Sequence, residues 1–375
     1  MVALDLSNRK IFDEKLVKLL DEQLDRYDWR NLRILNLEKN LIERIGCLME
    51  TGRSLQLSNL RVLNLNENQI DEECSLLCCG VENFINLKEL YLRTNFIRNI
   101  VVRTQFPALE TLDLSGNCIG NQGVVSLLKD GLENFPNLRK LVLSNVDMKS
   151  LDPLLMNCHN CPKLKCLDFS NNFIYNSQTI HYKHFNFPLL DELYCSAVNS
   201  TARLQELIVE KSLDSSLTTL DLSQCYVGEV FLKALSLGEF KKLTKLLLSN
   251  NEIGNEEVLL LGKLDMPNLV HLNLDDNLIG LEGANIISNF TNFPQLEFLS
   301  CRKYPATKHK TFESYSLNNF LEDCREELGE ELEEEEEDCE EDYYGGLRNS
   351  KGKEISFVSS FVSFTWTKSD YVYVY

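Results

Sequence analysis

Histidine is scarce, five residues in 375. Only His181 and His184 stand as a close pair, three apart in an irregular stretch where two polar loop residues are a plainer reading than metal ligands. No Walker loop, GxSxG, HExxH or dinucleotide fingerprint occurs, so the chain offers no phosphate cradle, nucleophile elbow or zincin helix, and we expect no enzyme. No apolar run approaches the length of a membrane span. The start, MVALDLSNRK, lacks both the basic and the apolar region of a secretory leader. The thirteen cysteines are therefore expected as thiols in a reducing compartment, cytoplasmic or nuclear, rather than as disulfides, and the sequons at Asn199 and Asn289 carry little weight. Cys158-His159-Asn160-Cys161 with Cys166 has the look of a zinc half-site. A structural site wants four ligands and no second CxxC follows, so no metal and no cofactor are expected. Cys74, Cys78 and Cys79 read as one side of a helix.

What is abundant is leucine in register. The pattern LxxLxLxxNxI begins at Leu32, Leu60, Leu87, Leu109, Leu138, Leu164, Leu190, Leu217, Leu243, Leu269 and Leu296, at intervals of 28, 27, 22, 29, 26, 26, 27, 26, 26 and 27 residues. A weaker copy, Leu4, Leu6 and Ile11, precedes them. About twelve turns result, well above the roughly three that a stack needs for stability. Side chains alternate along a strand, so Leu35 and Leu37 face one side while Ile34, Asn36 and Glu38 face the other. One turn cannot bury its leucines alone, and neighbouring turns must pair their strands in parallel around a shared core.

Asn40, Asn68, Asn95, Asn117, Asn172, Asn251 and Asn277 follow the strands, where an amide can bond buried backbone of adjacent turns. Cys225 takes that slot in one turn. Val146 and Val198 do not fit it, and Cys195 replaces a strand leucine, so the ladder is expected to be irregular between about residues 145 and 215. Before six strands stands an apolar residue and then proline: Phe106-Pro107, Phe135-Pro136, Cys161-Pro162, Phe187-Pro188, Met266-Pro267 and Phe293-Pro294. Proline presets extended geometry at a strand start, and the slot marks Cys161 as core. Gly123 to Glu133 and Gly283 to Phe290 carry helical spacing. The 22-residue unit beginning at Leu87 is too short for a helix and should cross in extended or 3₁₀ form.

Residues 1–304 thus resemble the leucine-rich repeat superfamily, which implies an α/β solenoid of about twelve repeats, a horseshoe with a parallel concave sheet and convex helices. At about 4.8 Å per strand the sheet would run on the order of 50 Å, the size of a protein partner. The turn NCIGNQGVVSLLKDGLENFPNL is similar to ribonuclease-inhibitor-type repeats, also used by Ran GTPase-activating proteins, which share an acidic tail. That likeness implies a second possible function, activation of a small GTPase, although no catalytic residue carries over by motif. Tyr304-Pro305-Ala306-Thr307-Lys308, Phe312 and Tyr315 before the glutamates resemble the cap and tail of acidic leucine-rich nuclear phosphoproteins, which bind other proteins, basic ones included.

The net charge of -19 is concentrated: 322–342 holds fifteen acids against Arg325, or -14, and the other 354 residues carry -5. Such a run repels itself and stays extended, serving either as a solubilising tail or as a lure for a basic partner, and it argues against direct nucleic-acid binding by that segment. Four regions follow: repeats over 1–304, a capping segment over 305–321, the acidic run over 322–342 and a strand-prone tail over 343–375 ending YVYVY. Left exposed, that tail would be an aggregation hazard. A non-native or alternatively spliced terminus and a strand that docks on a partner both explain it. At the other end, the first strand begins by residue 3 with no polar cap ahead of it.

The candidate site is the concave face. The middle outward residues of successive strands are Tyr91, Asp113, Val142, Asp168, Tyr194, Asp221 and Leu247, so apolar or aromatic anchors alternate with aspartates. Arg93 and Lys245 stand beside them, and Tyr with Arg is the composition of binding hot spots. The expected function is an intracellular interaction scaffold that binds a protein partner through this concave face, a basic protein or a small GTPase being the candidates, with no membrane, a monomeric state and no direct nucleic-acid role.

Overall fold

The computed structural model describes residues 3–23, 31–44, 57–71, 84–98, 100, 105–157, 160–174, 187–205, 207–208 and 216–301. Cys74, Cys78, Cys79, Cys158, His159, the His181 and His184 pair, and everything expected of 305–375 lie outside those residues. The chain divides into two compact units, with the boundary between Leu190 and Asp191.

The first unit holds seven three-residue strands: β1 (Ala3–Asp5), β2 (Ile34–Asn36), β3 (Val62–Asn64), β4 (Glu89–Tyr91), β5 (Thr111–Asp113), β6 (Lys140–Val142) and β7 (Cys166–Asp168). Each pairs in parallel with the next in chain order, without slippage. The second unit repeats the scheme with β8 (Glu192–Tyr194), β9 (Thr219–Asp221), β10 (Lys245–Leu247), β11 (His271–Asn273) and β12 (Phe298–Ser300). The central leucine of every strand, Leu112 and Leu246 among them, is buried. Each such side chain contributes roughly 1.5–3 kcal/mol, and a one-residue slip would turn all of them to solvent.

The described helices are α1 (Asp13–Gln23), α2 (Gly120–Leu128), α3 (Gly131–Asn134), α4 (Asp152–Asn157), α5 (Thr201–Gln205), α6 (Glu229–Leu235), α7 (Asn255–Leu261) and α8 (Leu281–Ser288). In the second unit α6 packs on α5 and α7, and α7 on α8. The helix expected over Gly123 to Glu133 is two helices. The chain leaves helical geometry at Asp130 (φ -113°, ψ 29°), and Gly131 comes so close to the next turn that a Cβ there would meet Asn160 O and Cys161 Sγ at 3.2 Å. In the short unit after β4, the described residues 95–98, 100 and 105–110 are in neither helix nor strand.

Two devices bend each turn inward after its strand. The first is the asparagine. Asn172 donates from Nδ2 to Leu143 O (2.8 Å), Phe169 O (2.7 Å) and Ser170 O (3.2 Å), while its Oδ1 accepts from Val146 N (3.1 Å) and Met148 N (3.0 Å). Asn40, Asn68, Asn95, Asn117, Asn251 and Asn277 donate in the same way to carbonyls of their own and the preceding turn. In the same slot the Cys225 thiol lies 3.0 Å from Cys195 O and 3.3 Å from Ser223 O, acting as a weaker donor. The second device is a left-handed residue just before that slot: Lys39, Glu67, Thr94, Gly116, Asn145, Asn171, Ala197, Gln224, Asn250 and Asp276 all have φ between 51° and 67°.

Over about 145–215, where irregularity is expected, only the described residues can be compared with the repeat. Strands β6 to β7 and β8 to β9 keep the common register. What is lost is the amide at Val146 and Val198, both buried as apolar residues, while 175–186 and 209–215 lie outside the described residues.

Candidate interaction surface

In the first unit the register places Tyr91 beside Asp113, Asp113 beside Val142, and Val142 beside Asp168. In the second unit Tyr194 stands beside Asp221, and Asp221 beside Leu247. All seven side chains are half-buried on the face opposite the leucines. Arg93 and Lys245 occupy other rows. Arg93 lies past the end of its strand, exposed, and its backbone N donates to Asn66 Oδ1 at 2.8 Å. Lys245 pairs in register with Thr219 and His271, one row nearer the strand start.

The two tyrosines share a local device. In Glu89-Leu90-Tyr91 the tyrosine hydroxyl donates to Glu89 Oε2 at 2.8 Å, and in Glu192-Leu193-Tyr194 the matching contact to Glu192 Oε2 is 3.4 Å. Residues i and i+2 of a strand share a face, so the repeated ELY lays each ring along the sheet. A ring held in this way loses less freedom on binding.

The aspartates have a structural job. Asp113 Oδ1 accepts from Ser115 N (2.9 Å) and Ser115 Oγ (2.6 Å), Asp168 Oδ1 from Ser170 N (2.9 Å), and Asp221 Oδ1 from Ser223 N (2.9 Å). Asn36, Asn64 and Asn273 do the same in other turns. An Asx turn that caps the strand end accounts for this residue type, so the carboxylates bring charge to the face as a by-product of the turn.

Burial raises the Asp221 carboxyl above the ordinary aspartate range, with the Ser223 hydrogen bonds and then Lys245 opposing it. Burial, followed by the Lys245 charge, lowers the His271 imidazole, whose ring lies 5.9 Å from that of Phe298. For Asp221 the folded value exceeds the unfolded one. Its contribution therefore favours the fold below the unfolded value and is lost as pH rises through the folded value. Asp221→Asn, which keeps an acceptor for Ser223 N, is expected to raise the thermal midpoint at pH 7, and the gain should shrink as pH falls toward about 4. A lower midpoint at pH 7 would contradict this.

A second row escaped the sequence reading. The residue after the structural asparagine faces outward, and in the first unit that slot holds Leu41, Phe96, Cys118 and Phe173, all exposed. Phe96 and Phe173 are 60% and 58% exposed, and Lys149 Nζ sits 5.6 Å from the Phe173 ring centre. In the second unit it holds Tyr226 and Leu278, also exposed. The signal was present as large apolar residues in a slot that elsewhere carries Gln69, Asp147 and Glu252.

The second unit also has a cleft of about 1060 Å³ lined by residues of α7 and α8 and of 289–292. Its Asn292 has the job of a helix terminator, donating from Nδ2 to Leu261 O (3.0 Å) and Leu264 O (2.9 Å), as Asn160 does to Leu128 O and Lys129 O. Among the described residues no cluster of His, Cys, Asp or Glu has the form of a metal site. No described helix is long and apolar enough to cross a membrane.

Parallel three-residue strands on a repeat near 26 residues, an asparagine ladder and helices returning the chain define the class: each unit has the α/β fold of a leucine-rich repeat solenoid. The family model for the leucine-rich repeat matches residues 107–128. Among solved structures, an internalin from Listeria monocytogenes aligns with TM-score 0.50 and 21% identity over 81% of this chain and 82% of its own. Among curated proteins, the tubulin-specific chaperone E of Danio rerio is 26% identical over 216 residues, 57% of this chain and 40% of the relative. The CD180 antigen of Mus musculus is 28% identical over 209 residues, 52% of this chain and 30% of the relative. The chain thus spans less than half the length of either curated relative.

Proposed function

We propose that this chain is a non-catalytic interaction scaffold that binds a protein partner through the outward strand positions, with Tyr91 and Val142 in the first unit and Tyr194 and Leu247 in the second as anchors. The observation that carries the reading is the pair of ELY strands, whose tyrosines are pinned by Glu89 and Glu192 on a half-buried face. The similarity to a chaperone named for tubulin supports a protein as the partner class. None of the six described cysteines forms a disulfide and five are buried, which supports a reducing, intracellular setting. The acidic run over 322–342 would then solubilise the chain or draw in basic surfaces.

The test is affinity for a partner recovered by co-purification from native cells and identified by mass spectrometry. Tyr91→Ala/Tyr194→Ala should weaken binding by about thirtyfold or more if the rings are hot spots. Leu237→Ala, at a side chain 82% exposed on the loop after α6, should leave it unchanged. Full affinity in the double variant would mean that the stripe is idle.

A further inference from the structure

One row of the first unit has a charge that neither the turn chemistry nor the core explains. The residue after the first leucine of each repeat, just ahead of the strand, is Arg33, Arg61, Lys88, Glu110, Arg139 and Lys165 in six successive turns. Backbone bonds fix these residues on consecutive rungs: from Arg61 onward each N–H donates to the carbonyl of its predecessor in the row, at 2.7 to 2.8 Å throughout. Five of the six are cations, all exposed. Lys88 pairs with the lone acid Glu110 at 2.6 Å, whose carboxyl is held below its ordinary range by Lys88 first and also by Arg139. Arg33, Arg61 and Lys165 have no ion-pair partner among the described residues.

The second unit supplies an internal control. The same slot there, on the same kind of backbone ladder, holds Asp191, Thr218, Thr244, Val270 and Glu297. The fold therefore accepts an acid, a hydroxyl or an apolar residue at this position. Nor does overall composition account for the row, since residues 1–190 contain 22 Lys and Arg against 23 Asp and Glu.

We propose that this row is a docking edge for an extended acidic segment of a partner protein lying across the strands. Rungs about 4.8 Å apart lie inside the Debye length of about 8 Å at physiological salt, so neighbouring cations act on the same ligand. Five intervals span roughly 24 Å, the length of seven or eight extended residues. A polypeptide fits better than a polyphosphate because Glu110 interrupts the row and Asp113 and Asp168 lie further along the same strands. A peptide can set neutral residues against those acids, whereas a nucleic-acid backbone carries charge at every unit. The inference deepens the scaffold reading by naming a partner chemistry, and it uses none of the tyrosine anchors.

The test uses the full chain and a fluorescent peptide of about twelve residues rich in Glu and Asp, long enough to span the row. Binding is expected at about 50 mM salt, weakening steeply by about 300 mM. Arg61→Glu/Arg139→Glu should lose tenfold or more of the affinity, while Lys242→Glu/Lys263→Glu, an equal charge change in the second unit, should lose little. Circular dichroism should be unchanged in both, and Tyr91→Ala/Tyr194→Ala should bind the peptide as the parent does. Equal loss in the two charge variants would overturn the proposal. So would an oligonucleotide of the same charge binding as tightly as the peptide. Absence of peptide binding at low salt would also overturn it, whether the row is inert or covered by the chain's own acids at 322–342.

Discussion

Asn172→Ala should lower the stability of the fold by about 3–4 kcal/mol, because it strips partners from several buried backbone groups that each cost roughly 1–3 kcal/mol when left unmet. Asn172 is 1% exposed. Its amide reaches Leu143 O in the preceding turn and Phe169 O in its own, and its Oδ1 receives the N–H groups of Val146 and Met148. In a solenoid each turn is held by its neighbours, so the loss acts on two turns at once. Asn172→Cys should be milder, since Cys225 already fills this slot elsewhere and its thiol reaches Cys195 O. The urea midpoint of both variants tests this. If alanine and cysteine cost the same and less than about 1 kcal/mol, the ladder is not what holds the turns.

Phe106→Ala should cost about 3–5 kcal/mol, the usual range for emptying a phenylalanine site in a packed core. Phe106 is 1% exposed and stacks on Phe135 with centroids 6.0 Å apart. The carbonyl of Phe106 accepts from Leu109 N at 3.2 Å, the turn that launches β5, and its own N–H donates to Asn134 O at 2.7 Å. Cys161 fills the slot with a smaller side chain one turn beyond Phe135, yet Leu164 N still closes on its carbonyl at 3.1 Å. The ring thus contributes packing rather than turn geometry. Phe106→Leu should therefore recover most of the stability, and a leucine variant as unstable as alanine would show that the ring stack, not volume, matters.

The leucine spacing was enough to place every strand and the side it buries, because a stack of parallel strands has one way to hide its leucines. The asparagines were equally legible, since a buried amide after a strand has little to do other than bond backbone. The left-handed residues were not. Lys39, Glu67 and Thr94 adopt φ near 55° although their types disfavour it. Their N–H groups are committed to carbonyls of the following turn, Asn66 O, Arg93 O and Ser115 O, at 2.8 to 3.0 Å, and that ladder overrides local preference. Gly116, Asn145, Asn171, Asn250 and Asp276 are the positions of this slot whose residue types suit the geometry, and at Gly116 a Cβ would also approach Thr94 Oγ1 to 3.1 Å.

The row of outward strand positions was legible in the sequence, and the local job of its aspartates was not. Tyr91, Asp113, Val142 and Asp168 do lie in one row, as alternation requires. Asp113, Asp168 and Asp221 are set by the Asx turn, a role that pattern alone does not separate from recognition. Reading one outward position per strand also passed over the cations ahead of the strands and the exposed Phe96 and Phe173 after them, which become rows only once the register is known.

Hydrogen exchange of the chain alone and with its co-purified partner tests the scaffold reading most directly, because it reports which rungs the partner covers. Protection is expected over 88–94, 110–116, 139–145 and 165–171 in the first unit and over 192–194, 219–221 and 245–247 in the second, the strands that carry the proposed anchors. Protection confined to α7 and α8, with those strand segments exchanging as in the free chain, would contradict it.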